Sequence, residues 1–303
     1  MTDEPVIQTD GLTKRFGEIT AVDDLSMEVR RGHIYGLLGP NGSGKTTTMG
    51  MLLGVLRPTS GSFRLLGSTV PHREALRRIG AVIESPAFYP NLSGRENLEY
   101  FRLISGRGSS AEVDHLLQKV GLAGRGDDRF HTYSLGMKQR LGIGYALLGD
   151  PELVCLDEPT NGLDPEGMIQ VRELIRSLGD GSRTVLLSSH LLHEIEQVCD
   201  RVTIISKGKL VVQGEVAELV RADRDELVRV KTTDDGKARA VLAALDWVGE
   251  VGTTEDGALS VAAPVDRSGE LVAAMSRSEV YVTEMAPIGR SLEQYFLEVT
   301  GSD

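Results

Sequence analysis

Gly39-Pro40-Asn41-Gly42-Ser43-Gly44-Lys45-Thr46-Thr47 decides how the rest of the chain is read. A glycine, four residues and then Gly-Lys-Thr is the pattern of a phosphate-binding loop, with Gly39, Gly44, Lys45 and Thr46 at its fixed positions. The apolar run 34–38 before it predicts a buried strand, and 46–55 after it predicts a helix. A glycine-rich turn between the two lets successive backbone N–H groups point at a phosphate, with the positive end of the helix dipole behind them. Lys45 would reach the β- and γ-phosphates, and the Thr46 hydroxyl would ligate Mg²⁺. A chance glycine turn is the bland alternative. It leaves the strand and helix on its two sides unexplained.

Of the 303 residues, 40% are hydrophobic and 25% charged, which suits one large globular domain or two modest ones. No apolar run approaches the ~20 residues that cross a bilayer. The opening Met1-Thr2-Asp3-Glu4-Pro5 is acidic and unlike a signal peptide, so a cytosolic chain is expected. Cys155 falls inside an apolar run and reads as core. A structural disulfide to Cys199 is not expected in a reducing compartment. Net charge is −11, of which −7 falls in residues 221–303, with 9 Lys+Arg against 16 Asp+Glu. That balance offers no surface for nucleic acid or anionic lipid.

Upstream of the loop, 6–16 and 21–29 read as strands of a small antiparallel sheet. Phe16 admits two readings, a core side chain or an exposed aromatic that stacks on a nucleobase. Its place ahead of a phosphate loop favours stacking. Downstream, 61–66 is a predicted strand, 72–78 a short helix, and 81–84 a short strand ending in the acid Glu84. Residues 85–90 form a loop punctuated by Pro86 and Pro90. Ser93 with Glu96 and Ser109 with Glu112 form capping boxes, opening helices to about 104 and to near Gly121. Ser134 and Gly136 begin a further helix reaching about 148, so 91–148 reads as a helical insert. That helix start is either an ordinary N-cap or a second phosphate site.

The apolar strand 153–156 delivers Asp157 and Glu158 at its C-terminal end, where α/β proteins hold ligands. Adjacent acids there suit Mg²⁺ binding by Asp157 and polarisation of an attacking water by Glu158. Residues 161–165 turn into a helix to about 178. A strand over 184–188 precedes His190, which is placed to hydrogen-bond a γ-phosphate. A hairpin turns at Lys207-Gly208 between strands 202–206 and 209–213, and a helix over 215–221 closes the domain.

Taken together, residues 6–220 resemble the nucleotide-binding subunit of an ABC transporter, with six motifs in that family's order. The resemblance makes Phe16 the adenine-stacking position, 39–47 Walker A, and 81–90 the Q-loop. Residues 133–139 become the signature, 153–158 Walker B, 161–164 the D-loop with Asp164, and His190 the switch histidine. It implies ATP and Mg²⁺ as cofactors. It also implies head-to-tail pairing of two cassettes, each ATP lying between one Walker A and the other signature. Ser134 and Gly136 then face the γ-phosphate. Two departures stand out. The signature reads Tyr133-Ser134-Leu135-Gly136-Met137, with leucine where the first glycine is usual, and Glu84 replaces the usual glutamine. Ile83-Glu84-Ser85-Pro86 is similar to bacitracin-resistance and lantibiotic-immunity cassettes. Leu292-Glu293-Gln294-Tyr295-Phe296-Leu297 resembles the ending of daunorubicin-type cassettes. At this position Glu84 would contact Mg²⁺ or the attacking water.

The expected fold is α/β, a P-loop NTPase. It comprises a cassette over 1–221, with a mixed core sheet, an antiparallel subdomain and a helical insert. A small α+β domain follows over 222–303. The tail is predicted strand 227–231, helix 236–245, strands 248–253 and 259–263, helix 267–276, strand 280–285 and helix 291–299, which is ferredoxin-like order plus a last helix. The resemblance implies an ATPase driving an exporter, peripheral on the inner face of the membrane through a polytopic permease. Soluble ABC ATPases acting on DNA separate their Walker motifs by a coiled coil, whereas Gly39 and Asp157 are 118 positions apart with no heptad run between. Ribosome-acting factors carry two cassettes, and an importer subunit remains a third alternative.

Overall fold

A computed structural model describes residues 5–69, 73–84, 87–221, 227–254, 256–287, 292 and 296. The chain forms two compact units, Met1–Val216 and Ala217–Asp303. In the first, β1 (Pro5–Phe16), β2 (Ile19–Leu25) and β3 (Glu28–Arg30) lead into β4 (Ile34–Leu38) and α1 (Lys45–Leu52). Then come β5 (Ser60–Leu65), β6 (Ser68–Thr69), α2 (Arg73–Arg77) and β7 (Ile79–Val82). Three helices follow, α3 (Gly94–Ser105), α4 (Ser110–Lys119) and α5 (Leu135–Ala146). The chain re-enters the sheet with β8 (Leu153–Leu156), α6 (Pro165–Arg176), β9 (Thr184–Ser189), α7 (Leu192–Val198), β10 (Arg201–Ser206) and β11 (Lys209–Glu215), and α8 (Val216–Arg221) begins at the unit's last residue and runs on into the second.

The central sheet runs β11-β10-β4-β9-β8-β7, parallel except where β11 folds back on β10. Its strands β4, β8 and β9 are buried throughout, as strands covered on both faces should be, with the polar Thr184, Ser188 and Ser189 confined to the ends of β9. A second, antiparallel sheet runs β2-β1-β5-β6 with β3 also on β1. Met49, Met51 and Leu52 of α1 join Leu12 and Leu65 of that sheet and Leu37, Leu153 and Leu186 of the central one in a single core. The polar residues of α1, Lys45 to Thr48, fall in its first half next to the loop, while Met49, Met51 and Leu52 in its second half are buried. Both capping boxes form, Ser93 with Glu96 and Ser109 with Glu112, at the starts of α3 and α4.

Several expected bounds move. The strand expected over 21–29 is broken, because β2 pairs with 12–16 of β1 while β3 pairs with 5–8. Between them, the Thr9 hydroxyl donates to Leu25 O and accepts from Met27 N, each at 2.8 Å, so the chain bends around one side chain. The strand expected over 81–84 runs instead from Ile79 to Val82. Its pairing ends where Asp157 N donates to Val82 O, and Glu84 lies beyond in a left-handed conformation, φ 59°.

In the second unit, β12 (Leu227–Thr232), α9 (Asp235–Ala243), β13 (Val251–Thr253), β14 (Leu259–Ala262), α10 (Ser268–Arg277) and β15 (Val282–Pro287) build an antiparallel sheet in the order β13-β14-β12-β15. Two interleaved β-α-β crossovers give this ferredoxin-like order. Val228, Val230, Leu259 and Val261 meet Leu242 of α9 and Leu271 and Met275 of α10 in a core of its own. The strand expected over 248–253 shrinks to three residues, since Val248 N bonds back to Leu245 O in the turn after α9. The helix expected over 291–299 lies outside the described residues.

One close approach fixes how α5 lies on the central sheet. A Cβ on Gly80 of β7 would stand 1.6 Å from Ala146 O at the end of α5. Backbone cannot retreat as a side chain can. Gly80→Ala should therefore cost on the order of 3 kcal/mol of stability, read as a lower urea midpoint for the first unit's unfolding. A midpoint equal to wild type would show that α5 is free to shift.

Candidate nucleotide site

Strands β4, β9 and β8 are immediate neighbours, so their C-terminal ends place three loops side by side. The loop after β4 carries 39–47, that after β8 carries Asp157 and Glu158, and that after β9 carries His190. Parallel α/β sheets hold ligands at this edge.

Asp157 is 5% exposed. Its Oδ2 accepts from Thr46 Oγ1 at 2.8 Å, and its Oδ1 from Ser188 Oγ at 2.5 Å. Glu158, at φ 47°, adopts a backbone conformation that L side chains rarely take. Its N–H donates to Ser188 Oγ at 2.9 Å, and its carboxylate lies 3.3 Å from Lys45 Nζ and 2.8 Å from His190 Nδ1. A carboxylate only accepts, so Nδ1 of that histidine carries the proton. Lys45 is buried and also donates to Gly39 O at 2.7 Å and Pro40 O at 3.3 Å.

The loop fits a polyphosphate. Ser43 Oγ is buried with no hydrogen-bond partner. Gly44 stands as N-cap of α1 at φ 104° with no side-chain cap, leaving the first-turn amides to an outside acceptor. A Cβ there would lie 2.5 Å from Ala21 O, so only glycine closes this turn. Pro40, Asn41, Gly42 and Thr46 are exposed, and Thr47 is half-buried. Mg²⁺ fits as well. Thr46 and Asp157 present hydroxyl and carboxylate oxygens together, and this ion commonly takes one or two protein oxygens with the rest from phosphate and water.

Other expected residues lie apart from this cluster. Phe16 is 47% exposed beside a turn, with Lys14 Nζ 4.9 Å from its ring centroid. Ser134 N-caps α5 by accepting from Met137 N at 3.2 Å, and the nearest neighbours of Gly136 are Gly167 and Leu163. Leu135 keeps ordinary helical backbone, so the leucine in place of glycine brings no strain. Asp164 N-caps α6 through Gly167 N at 3.1 Å. Glu84 is exposed and makes no hydrogen bond or ion pair with another described residue. Both cysteines are free and buried, and burial pushes the Cys155 thiol up to about 12, so it behaves as core. Ser188 was not expected at the site. Its only sequence signal is a serine two positions before a histidine at a strand end.

A phosphate loop packed beside carboxylates at the edge of a parallel sheet, with an antiparallel sheet and a helical insert around it, defines a P-loop NTPase of the ATP-binding-cassette type. The ABC transporter family model matches residues 22–161. The chain is 40% identical to the bacitracin transport ATP-binding protein BcrA of Bacillus licheniformis, over 98% of this chain and 97% of that one. It is 37% identical to the daunorubicin resistance ATP-binding protein DrrA3 of Streptomyces coeruleorubidus, over 99% and 97%. Among solved structures it resembles an ATP binding subunit of an ABC transporter, with a TM-score of 0.63, 28% identity, and coverage of 72% of this chain and 92% of that one. It shares its fold with the ATP-binding cassette MJ0796 bound to ADP and Pi, with a TM-score of 0.62, 22% identity, and coverage of 69% and 98%. The chain belongs to the ABC transporter family, as an ATP-binding subunit that hydrolyses ATP. Among the described residues no helix is long and apolar enough to cross a membrane.

Ser188→Ala tests how far the site depends on this hydroxyl. The substitution leaves one oxygen of a buried carboxylate without its donor, which should cost about 2 kcal/mol. Chemical denaturation should show that loss, with ATP turnover reduced alongside. Unchanged stability would mean that Thr46 and solvent satisfy Asp157 without it.

Proposed function

We propose that this chain powers an exporter of antibiotic, peptide or drug-like substrates, docked on a polytopic permease at the cytoplasmic face of the membrane. Relatives bearing the names bacitracin transport and daunorubicin resistance support the substrate class. The observation carrying the chemistry is the Glu158 carboxylate, held between Lys45 and His190 beside the Thr46–Asp157 pair. In this reading Glu158 polarises the attacking water, His190 hydrogen-bonds the γ-phosphate, and Lys45 with the 39–47 amides binds the β- and γ-phosphates. Phe16 stacks on the adenine. Thr46 and Asp157 would hold Mg²⁺, joined by Glu84, and the ion when bound neutralises charge on the transferring phosphoryl group.

Ser134 and Gly136 support the pairing of two copies. They sit beside α6 rather than against 39–47, so one chain does not close around a triphosphate with them. A second copy bringing its α5 start, with Asp164 nearby on α6, would complete the site. For the permease, an apolar groove of about 240 Å³ lined by Val82, Ile83, Phe88, Phe101 and Tyr145 adjoins Glu84. Tyr89 on the loop and Leu103 and Ile104 on the helical insert are exposed, which favours an apolar partner.

Glu158→Gln keeps the shape and removes the base. Turnover should fall by about 10²–10⁴ while ATP binding persists. With Mg-ATP this variant should elute as a dimer, and closer to a monomer without nucleotide. Unchanged turnover in the pure protein would end the assignment of Glu158, and elution indifferent to nucleotide would end the pairing. A further outcome concerns Glu84. A carboxylate near Mg²⁺ binds it more strongly than an amide does. Glu84→Gln should therefore need more Mg²⁺ for half-maximal hydrolysis, with a smaller change in ATP affinity. Identical midpoints in a Mg²⁺ titration would make Glu84 a surface variant with no role at the metal.

A further inference from the structure

Beneath the site lies a buried acid that the reading above does not use. Glu194, in the first turn of α7, is 6% exposed. Its Oε2 accepts from Thr160 Oγ1 at 2.5 Å and from Ser189 Oγ at 3.2 Å. Ser189 Oγ in turn accepts from Leu191 N at 3.0 Å. Thr160 stands two residues after Glu158, and Ser189 directly before His190. The other oxygen, Oε1, is buried with no hydrogen-bond partner.

We propose that Glu194 is a positioning residue for hydrolysis, fastening the loop that carries Glu158 to the strand end that carries His190. The inference rests on the roles given to those two residues above. An acid in a helix's first turn gains from the dipole while remaining in water, so dipole stabilisation alone gives no reason to bury it. Burying a carboxylate costs several kcal/mol unless donors meet it. Here the donors come from two separate loops, and both loops lead to the reacting groups. The site therefore has two rungs. One is direct, Glu158 to His190. The second runs Thr160–Glu194–Ser189 and holds the backbone from which the first is built. Without the second rung, His190 and Glu158 keep their chemistry and lose their register, while the phosphate loop is untouched. Such a change lowers kcat and leaves ATP binding alone.

The test uses the full chain with steady-state kinetics and equilibrium binding of a non-hydrolysable ATP analogue. Glu194→Ala removes the shared acceptor and should lower kcat by about 10²-fold, the scale of a 1 Å misplacement, with analogue affinity within about twofold of wild type. Glu194→Gln still offers one oxygen to both hydroxyls and should recover most of kcat. Thr160→Val and Ser189→Ala each remove one donor. Each should lower kcat by less, and neither should lower it further when combined with Glu194→Ala. Wild-type kcat in Glu194→Ala overturns the proposal, and so do equal losses in kcat and analogue affinity. Should Glu194→Ala not fold, wild-type kcat in both single-hydroxyl variants overturns it. Glu158→Gln in the same assay keeps the two questions apart. If it retains turnover, the assignment of the base has failed. If it is inactive and the Glu194 series is silent, only the positioning role has.

Discussion

Everything at the catalytic edge depends on keeping the buried Asp157 carboxylate satisfied. A carboxylate taken out of water and left without donors costs several kcal/mol. Thr46 supplies one donor and Ser188 the other. Those two hydroxyls belong to the helix after β4 and to the end of β9, so one side chain ties together the ends of three strands. Strand register makes this possible. Leu156 pairs with Leu187 and Leu38 with Ser189, which puts Asp157 level with Ser188. A slip of one residue would turn Ser188 to the opposite face of the sheet and orphan the acid.

The same serine also bears on Glu158. Its hydroxyl oxygen takes the Glu158 N–H while its hydrogen goes to Asp157, so a single group orders both acids. The left-handed backbone at Glu158 is a cost of roughly 1–3 kcal/mol, and it turns the carboxylate towards Lys45 and His190. A base acts only when a lone pair is available. The Lys45 ammonium donates here to two loop carbonyls and lies 3.3 Å from the Glu158 carboxylate as an ion pair. Phosphate oxygens compete for those donors, so a bound polyphosphate would loosen the lysine from the Glu158 carboxylate.

What could be read from the chain was what is local in sequence. The phosphate loop, both capping boxes, the acids after an apolar run and the Lys207-Gly208 turn are each contained within a few neighbouring residues. Their geometry follows from backbone rules that act over that range. Ser188 and Glu194 could not be read this way, because Asp157 lies 31 positions from the one and Thr160 lies 34 from the other, and they become neighbours only once β8 and β9 pair. The break at Ser26-Met27 was hidden for a related reason. Residues 21–29 contain no glycine or proline to mark a break, and the bend comes from Thr9 on another strand, whose hydroxyl serves both sides of it. The end of β7 moved because its partner stops at Leu156, which no feature of 81–84 encodes.

The second unit shows the other way a sheet handles charge. Along β12, Val228 and Val230 point into the core while Arg229 and Lys231 alternate to the outer face, the pattern of an antiparallel sheet with one wet side. Those cations are not offered to a polyanion. Arg229 is met by Asp256 and Glu284, and Lys231 lies 3.3 Å from Asp256. The Arg229 guanidinium, helped by the Thr254 hydroxyl, holds the Asp256 carboxyl well below the usual carboxylate range. Arg267, on the helical side, pairs with Glu270 through both Nε and Nη2 and stacks on the Trp247 ring at 3.8 Å. Within a unit of net −7 over 221–303, these three cations are thus held by neighbours in its own fold.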